Sequence, residues 1–176
     1  MNAKLSKLVI AISATVLAGS AWAVDDTSTM STSAAVVAEC SVGNGTAITL
    51  GTLSMLTDAG TQTALNSTAS ATFPAICTNG TPSPKFSYVS GHVQGGVFRL
   101  QGGTTATEFI NYTPFPSSDA SGASIISGTA VAHPNFSADG TSKTLALSAK
   151  ILAADKAAKS VQTYSDTITI TASFGV

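Results

Sequence analysis

Thr167-Ile168-Thr169-Ile170-Thr171-Ala172-Ser173-Phe174 is the stretch from which the fold can be read. Apolar side chains hold the even positions and hydroxyl side chains the odd ones. A period of two sends successive side chains to opposite faces of an extended strand, so one face belongs in a core and the other in water. Its threonines and isoleucines are β-branched and suit a pleated surface. Only Gly175-Val176 follows, so the strongest strand of the chain is expected to end it without a successor to pair against.

Working outward, weaker runs of the same kind occupy residues 47–53, 69–77, 85–89, 95–100, 108–112, 125–132 and 144–152. Turn chemistry separates them: Gly43-Asn44-Gly45, Asn79-Gly80-Thr81-Pro82, Gly102-Gly103, Ser117-Ser118-Asp119 and Ala138-Asp139-Gly140. Short strands at this spacing predict an all-β antiparallel sandwich or barrel. Phe86, Tyr88, Phe98, Phe109, Tyr112 and Phe115 lie in or beside these runs and are expected in the core. Residues 153–160 are the one helical candidate, with good helix formers but no apolar stripe, and are expected to form a loop holding a single turn.

The opposite end of the chain has a different character. Lys4 and Lys7, an apolar run over residues 8–17 and Ala21-Trp22-Ala23 have the three zones of a secretory signal peptide, which assigns residues 1–23 to export and starts the mature chain at Val24. No other run approaches the roughly 20 apolar residues of a membrane-spanning helix. The remainder is the size of one domain. Between the cleavage site and Cys40, Met30, Thr32, Ala34 and Val36 take alternate positions, which suits a strand with weak anchorage. A weak strand at the start and an unpaired strong one at the finish invite pairing between copies. The organisation expected is therefore an extension over 24–37 and a domain over 38–176.

Only 10% of the residues are charged while 44% are hydrophobic, a balance that favours folding over disorder and leaves a polar, nearly uncharged surface. Removal of Lys4 and Lys7 makes the mature chain acidic, with no basic patch for nucleic acid. Low charge also means little repulsion between copies. Cys40 and Cys77 are the two cysteines of an exported chain, where the compartment favours a disulfide. A catalytic or metal-binding thiol pair would call for Cys-x-x-Cys spacing or a nearby histidine, and neither occurs. Catalysis needs nucleophile, base and orienting group together. His92 and His133 are the only histidines, far apart in turns and read as surface residues, and no hydrolase or zinc signature accompanies them. The expectation is a protein without enzymatic activity, cofactor or metal.

With these residues in hand, the chain resembles the spore coat protein U family, which includes the rod pilins of archaic chaperone–usher pili. The resemblance rests on the alternating leader before Cys40, on Leu50-Gly51-Thr52-Leu53, on Phe73-Pro74-Ala75-Ile76-Cys77 and on the closing Tyr164-Ser165-Asp166-Thr167 through Phe174. It implies an incomplete immunoglobulin-like sandwich that lacks its last strand and is completed by donor-strand exchange. A periplasmic chaperone would fill the groove first, and the extension of the next copy would replace it at the outer-membrane usher, giving a homopolymer on the cell surface that supports adhesion and biofilm formation. By position, Met30, Thr32, Ala34 and Val36 would be the inserted side chains, and Ile168, Ile170, Ala172 and Phe174 one wall of the receiving groove. Thr32 and Ala34 depart from the larger aliphatic residues usual there. The other reading is a tip adhesin or lectin-like sandwich that binds a surface ligand; the single domain's length favours the rod.

Overall fold

The computed structural model describes residues 28–53, 66–156 and 158–175. The signal segment, the first residues of the extension and Val176 lie outside them. From Val36 onward the chain forms one compact unit.

Among the described residues nine strands and one helical turn follow in order: β1 (Cys40–Val42), β2 (Ser67–Cys77), β3 (Lys85–Ser90), β4 (Phe98–Gly102), β5 (Phe109–Phe115), β6 (Ala130–Val131), β7 (Lys143–Ile151), α1 (Ala153–Lys156), β8 (Tyr164–Ser165) and β9 (Ile168–Ser173). They build a six-stranded sheet in the order β1-β2-β7-β5-β4-β8 and a three-stranded sheet in the order β6-β3-β9. All the pairings are antiparallel. These two sheets make the all-β antiparallel architecture that the alternating runs lead one to expect. Among the described residues no helix is long and apolar enough to cross a membrane.

The core forms where the inward faces of the two sheets meet. Phe73 of β2 and Leu145, Leu147 and Ile151 of β7 come from one sheet, Phe86 and Tyr88 of β3 from the other, and all are buried. Phe73 meets the Phe86 and Tyr88 rings edge to face at 6.0 and 6.2 Å, a geometry that aligns the positive edge of one ring with the negative face of another. Burying one such side chain contributes about 1.5–3 kcal/mol.

Four local readings change. His133 is not a surface residue: it is 4% exposed, lies edge-on to Phe73 and Phe86, and its Nε2 is 2.9 Å from the carbonyl oxygen of Ala146. Its flat ring fills core volume while its nitrogen reaches a strand carbonyl. His92 is also partly buried, with 30% of its side chain exposed. The run at 125–132 contains only the two residues of β6, because Ile125 and Gly128 spend their N–H groups on the carbonyls of Pro114 and Tyr88, outside any ladder. β5 instead runs on through Pro114 to Phe115; its pairing to β4 stops at Tyr112, and Pro114 accepts a hydrogen bond from Ile125 N–H at 2.9 Å.

The stretch after β1 does not break away at Gly43-Asn44-Gly45. Gly43 N–H donates to Pro74 O at 2.9 Å and Thr46 N–H to Thr72 O at 2.8 Å, so the chain continues beside β2. A Cβ on Gly43 would fall 2.7 Å from Pro74 Cγ, and one on Gly45 3.1 Å from Phe73 Cβ. These glycines allow the close approach; they are not turn residues. Residues 47–53, expected as a strand, carry no regular secondary structure.

A Cys40–Cys77 disulfide bonds the first residue of β1 to the last of β2, where the two are already register partners. Replacing both by serine is expected to lower stability by about 2–5 kcal/mol, which urea unfolding of oxidised parent and variant measures directly.

Candidate functional site

β9 joins the three-stranded sheet on one side only. It pairs with β3 from Lys85 opposite Ser173 to Ser90 opposite Ile168 and is the last strand of its sheet. Its inward residues Ile168, Ile170 and Ala172 pack against the core but stay only half-buried, alternating with exposed Thr169, Thr171 and Ser173. An inward face in a complete sandwich is buried like that of β3, where Phe86, Tyr88 and Ser90 are. The difference marks a flank that no strand pairs with among the described residues.

The space beside it is a groove of about 310 Å³. Ile168 and Ile170 form one wall, residues 45–48 and Leu50 the facing wall, and Ala71, Phe73, Leu100, Leu147 and Ala149 the floor. Small residues make the room: Ala71 and Ala149 stand where longer aliphatic side chains would reach into the groove. The groove offers an occupant apolar walls together with the free main-chain edge of β9, whose N–H and C=O groups need partners once water is displaced.

One end of the groove is polar. Asp166, two residues before Ile168 and therefore on the same face, lines it together with Tyr112. The Asp166 side chain is 2% exposed. Its Oδ2 accepts a 2.6 Å hydrogen bond from the Tyr112 hydroxyl, and its Oδ1 lies 3.1 Å from His92 Nδ1. Burial, with the Asp166 hydrogen bond second, pushes the Tyr112 phenol far above its ordinary value. Tyr88 is likewise pushed up by burial alone.

The expected site residues fall in several places. Ile168 and Ile170 line the groove, Ala172 lies further along the same face, and Phe174 follows the end of β9 at 37% exposure. Met30, Thr32 and Ala34 belong to the segment before the compact unit; their side chains are exposed, and residues 28–39 have no regular secondary structure. Val36 is 87% exposed. The domain takes hold of the chain directly afterwards: Thr78 Oγ1 lies 3.1 Å from Val37 O and 3.2 Å from Glu39 O, and accepts the Glu39 N–H at 2.8 Å. Sequence reasoning did not assign Ile48 and Leu50 to a wall, nor Asp166 and Tyr112 to the polar end. The signal for Asp166 was its parity with Ile168 and Ile170. Among the described residues no cluster of His, Cys, Asp or Glu is placed to hold a metal ion.

The fold and groove together define an antiparallel β-sandwich with one flank left open along its last strand. The chain belongs to the Spore Coat Protein U domain family, whose model matches residues 26–171. No curated protein matches the sequence. Two of the solved structures similar to it are the following. One is a chaperone–tip adhesin complex described as vital for synergistic activation of CFA/I fimbriae biogenesis, at 14% identity and a TM-score of 0.43 over 63% of this chain. The other is the CsuC–CsuE chaperone–tip adhesion subunit pre-assembly complex from archaic chaperone–usher Csu pili of Acinetobacter baumannii, at 18% identity and a TM-score of 0.47 over 79% of this chain. This chain spans 36% and 40% of the length of those two chains.

Two outcomes follow from the groove. Ala71→Leu places added methylene groups in open space at about 0.8 kcal/mol each, so the variant is expected to melt higher than the parent and to lose fluorescence of a groove-bound hydrophobic dye. For the buried phenols the folded-state pKa lies above the unfolded value of about 10. Their contribution is therefore complete below about pH 10 and is lost as pH rises through the alkaline range. Urea midpoints are expected to fall steeply above that pH, and less steeply in Tyr112→Phe.

Proposed function

We propose that the protein is a structural subunit of a bacterial surface pilus of the archaic chaperone–usher type, exported through the periplasm and polymerised by donor-strand complementation. In this reading residues 24–37 of one copy lie along β9 of the next, with Met30, Thr32, Ala34 and Val36 directed into its groove. Ile168, Ile170, Ala172 and Phe174 form the receiving wall. A periplasmic chaperone occupies the same edge first, and the outer-membrane usher exchanges it for the extension. The subunit acts as fibre material for adhesion and biofilm formation, not as an enzyme.

The observation that carries this reading is the half-buried inward face of β9 beside an apolar groove, on a strand that has one partner among the described residues. Membership in the Spore Coat Protein U domain family supports it. So does the length of the extension: at about 3.3 Å per residue, ten residues reach about 33 Å, enough to run along a sandwich. The hold that Thr78 takes on Val37 and Glu39 gives the extension a defined base.

Burying an unpaired charge costs several kcal/mol even after relaxation, far more than a small side chain contributes. Ala34→Asp is therefore expected to abolish fibres and SDS-resistant ladders in cells that supply chaperone and usher, while Ser33→Asp assembles normally. Fibres of normal length from Ala34→Asp, and from a chain lacking residues 26–37, would show that the extension is not the inserted strand.

A further inference from the structure

The polar end of the groove lies where the chain changes sheets. Ser165 still pairs with Gln101 of β4 in the six-stranded sheet, and Ile168 already pairs with Ser90 of β3 in the other. Asp166 and Thr167 make the crossing. The Thr167 carbonyl accepts the Gly91 N–H at 2.9 Å, while the Asp166 side chain turns back to Tyr112 on β5, in the sheet the chain has just left. His92, directly after β3, holds the other carboxylate oxygen, and its own N–H donates to Ser90 Oγ at 3.1 Å. One buried carboxylate thus joins the two sheets at the end of an unfilled groove.

We propose that Asp166 is a positioning residue for strand capture: through Tyr112 it fixes the spacing of the two sheets and the start of β9, so that the groove is open before anything occupies it. The inference rests on the strand-accepting reading of the groove. A sandwich that lacks a strand gains by closing on the gap, because closure removes the half-buried isoleucines from water. Resisting that requires a contact with fixed direction and length. A leucine at 166 would avoid burying a polar group of its own but would leave the buried Tyr112 hydroxyl without its acceptor, which costs stability. It would also project into the groove from the same face as Ile168 and would hold no distance to Tyr112. A carboxylate bonded at 2.6 Å to a hydroxyl on the opposite sheet supplies the fixed distance, and its length keeps it at the groove's end. Preorganisation of this kind shows in the rate of capture by the fully folded subunit.

The test uses the purified mature chain and a synthetic peptide with the sequence of residues 26–37, following capture by fluorescence and stability by thermal melting. Asp166→Leu, which leaves the Tyr112 hydroxyl unpaired, is expected to melt below the parent and, at a temperature where both are fully folded, to capture the peptide at least about tenfold more slowly. Asp166→Asn, which keeps an acceptor for the Tyr112 hydroxyl, is expected to capture within about threefold of the parent. Tyr112→Phe keeps the ring against Phe98, deletes the bond and is expected to slow capture like Asp166→Leu; it carries the test should Asp166→Leu fail to fold. Capture by Asp166→Leu or Tyr112→Phe at the parental rate overturns this inference alone. A parent that captures no peptide overturns the strand-accepting reading, and this inference with it.

Discussion

The antiparallel pairing of β2 with β7, from Ser67 opposite Ile151 to Ala75 opposite Lys143, is the frame on which the molecule is hung. It fixes which side chains of both strands face inward: Phe73 and Ala75 from β2, Leu145, Leu147, Ala149 and Ile151 from β7. A shift of one residue would exchange every one of these for its neighbour on the outer face. The β3 aromatics close on that surface, and the edge strands are added outward from it. Because β1 pairs with only one end of β2, and β9 reaches the core from the other sheet, a groove is left between β9 and residues 45–50.

Much of this was legible in the sequence because period-two alternation survives wherever one face of a strand is buried. β9, β7, β3 and most of β2 came through for that reason. The readings that changed are those in which contacts between distant residues override the local pattern. Glycines 43 and 45 look like a turn, and only the proximity of Pro74 and Phe73 explains them otherwise. His133 looks polar, and its burial depends on Ala146 and two aromatic rings from other strands. Residues 47–53 have the composition of a strand but form no ladder.

The inward face of β9 could be read from alternation alone, and its place as a groove wall came from the family resemblance. The facing wall could not be read, since Ile48 and Leu50 lie in an irregular segment whose position depends on β2. Asp166 is the most instructive case. A lone aspartate beside a strand is ordinarily a turn residue, and nothing local distinguishes one that is exposed from one that spans two sheets. Parity with Ile168 was the available clue, and its meaning depends on knowing that the strand has a core on that side.

The disulfide has a mechanical consequence. A pull applied to residues 28–36 reaches the domain at Val37–Glu39, held by Thr78, and one residue later meets the covalent link from Cys40 to Cys77. Hydrogen-bonded strands part most easily when unzipped from one end, one rung at a time. Here the end that would open first is bonded shut, so tension entering along the extension passes straight into β2 and is shared by all its rungs to β7 at once.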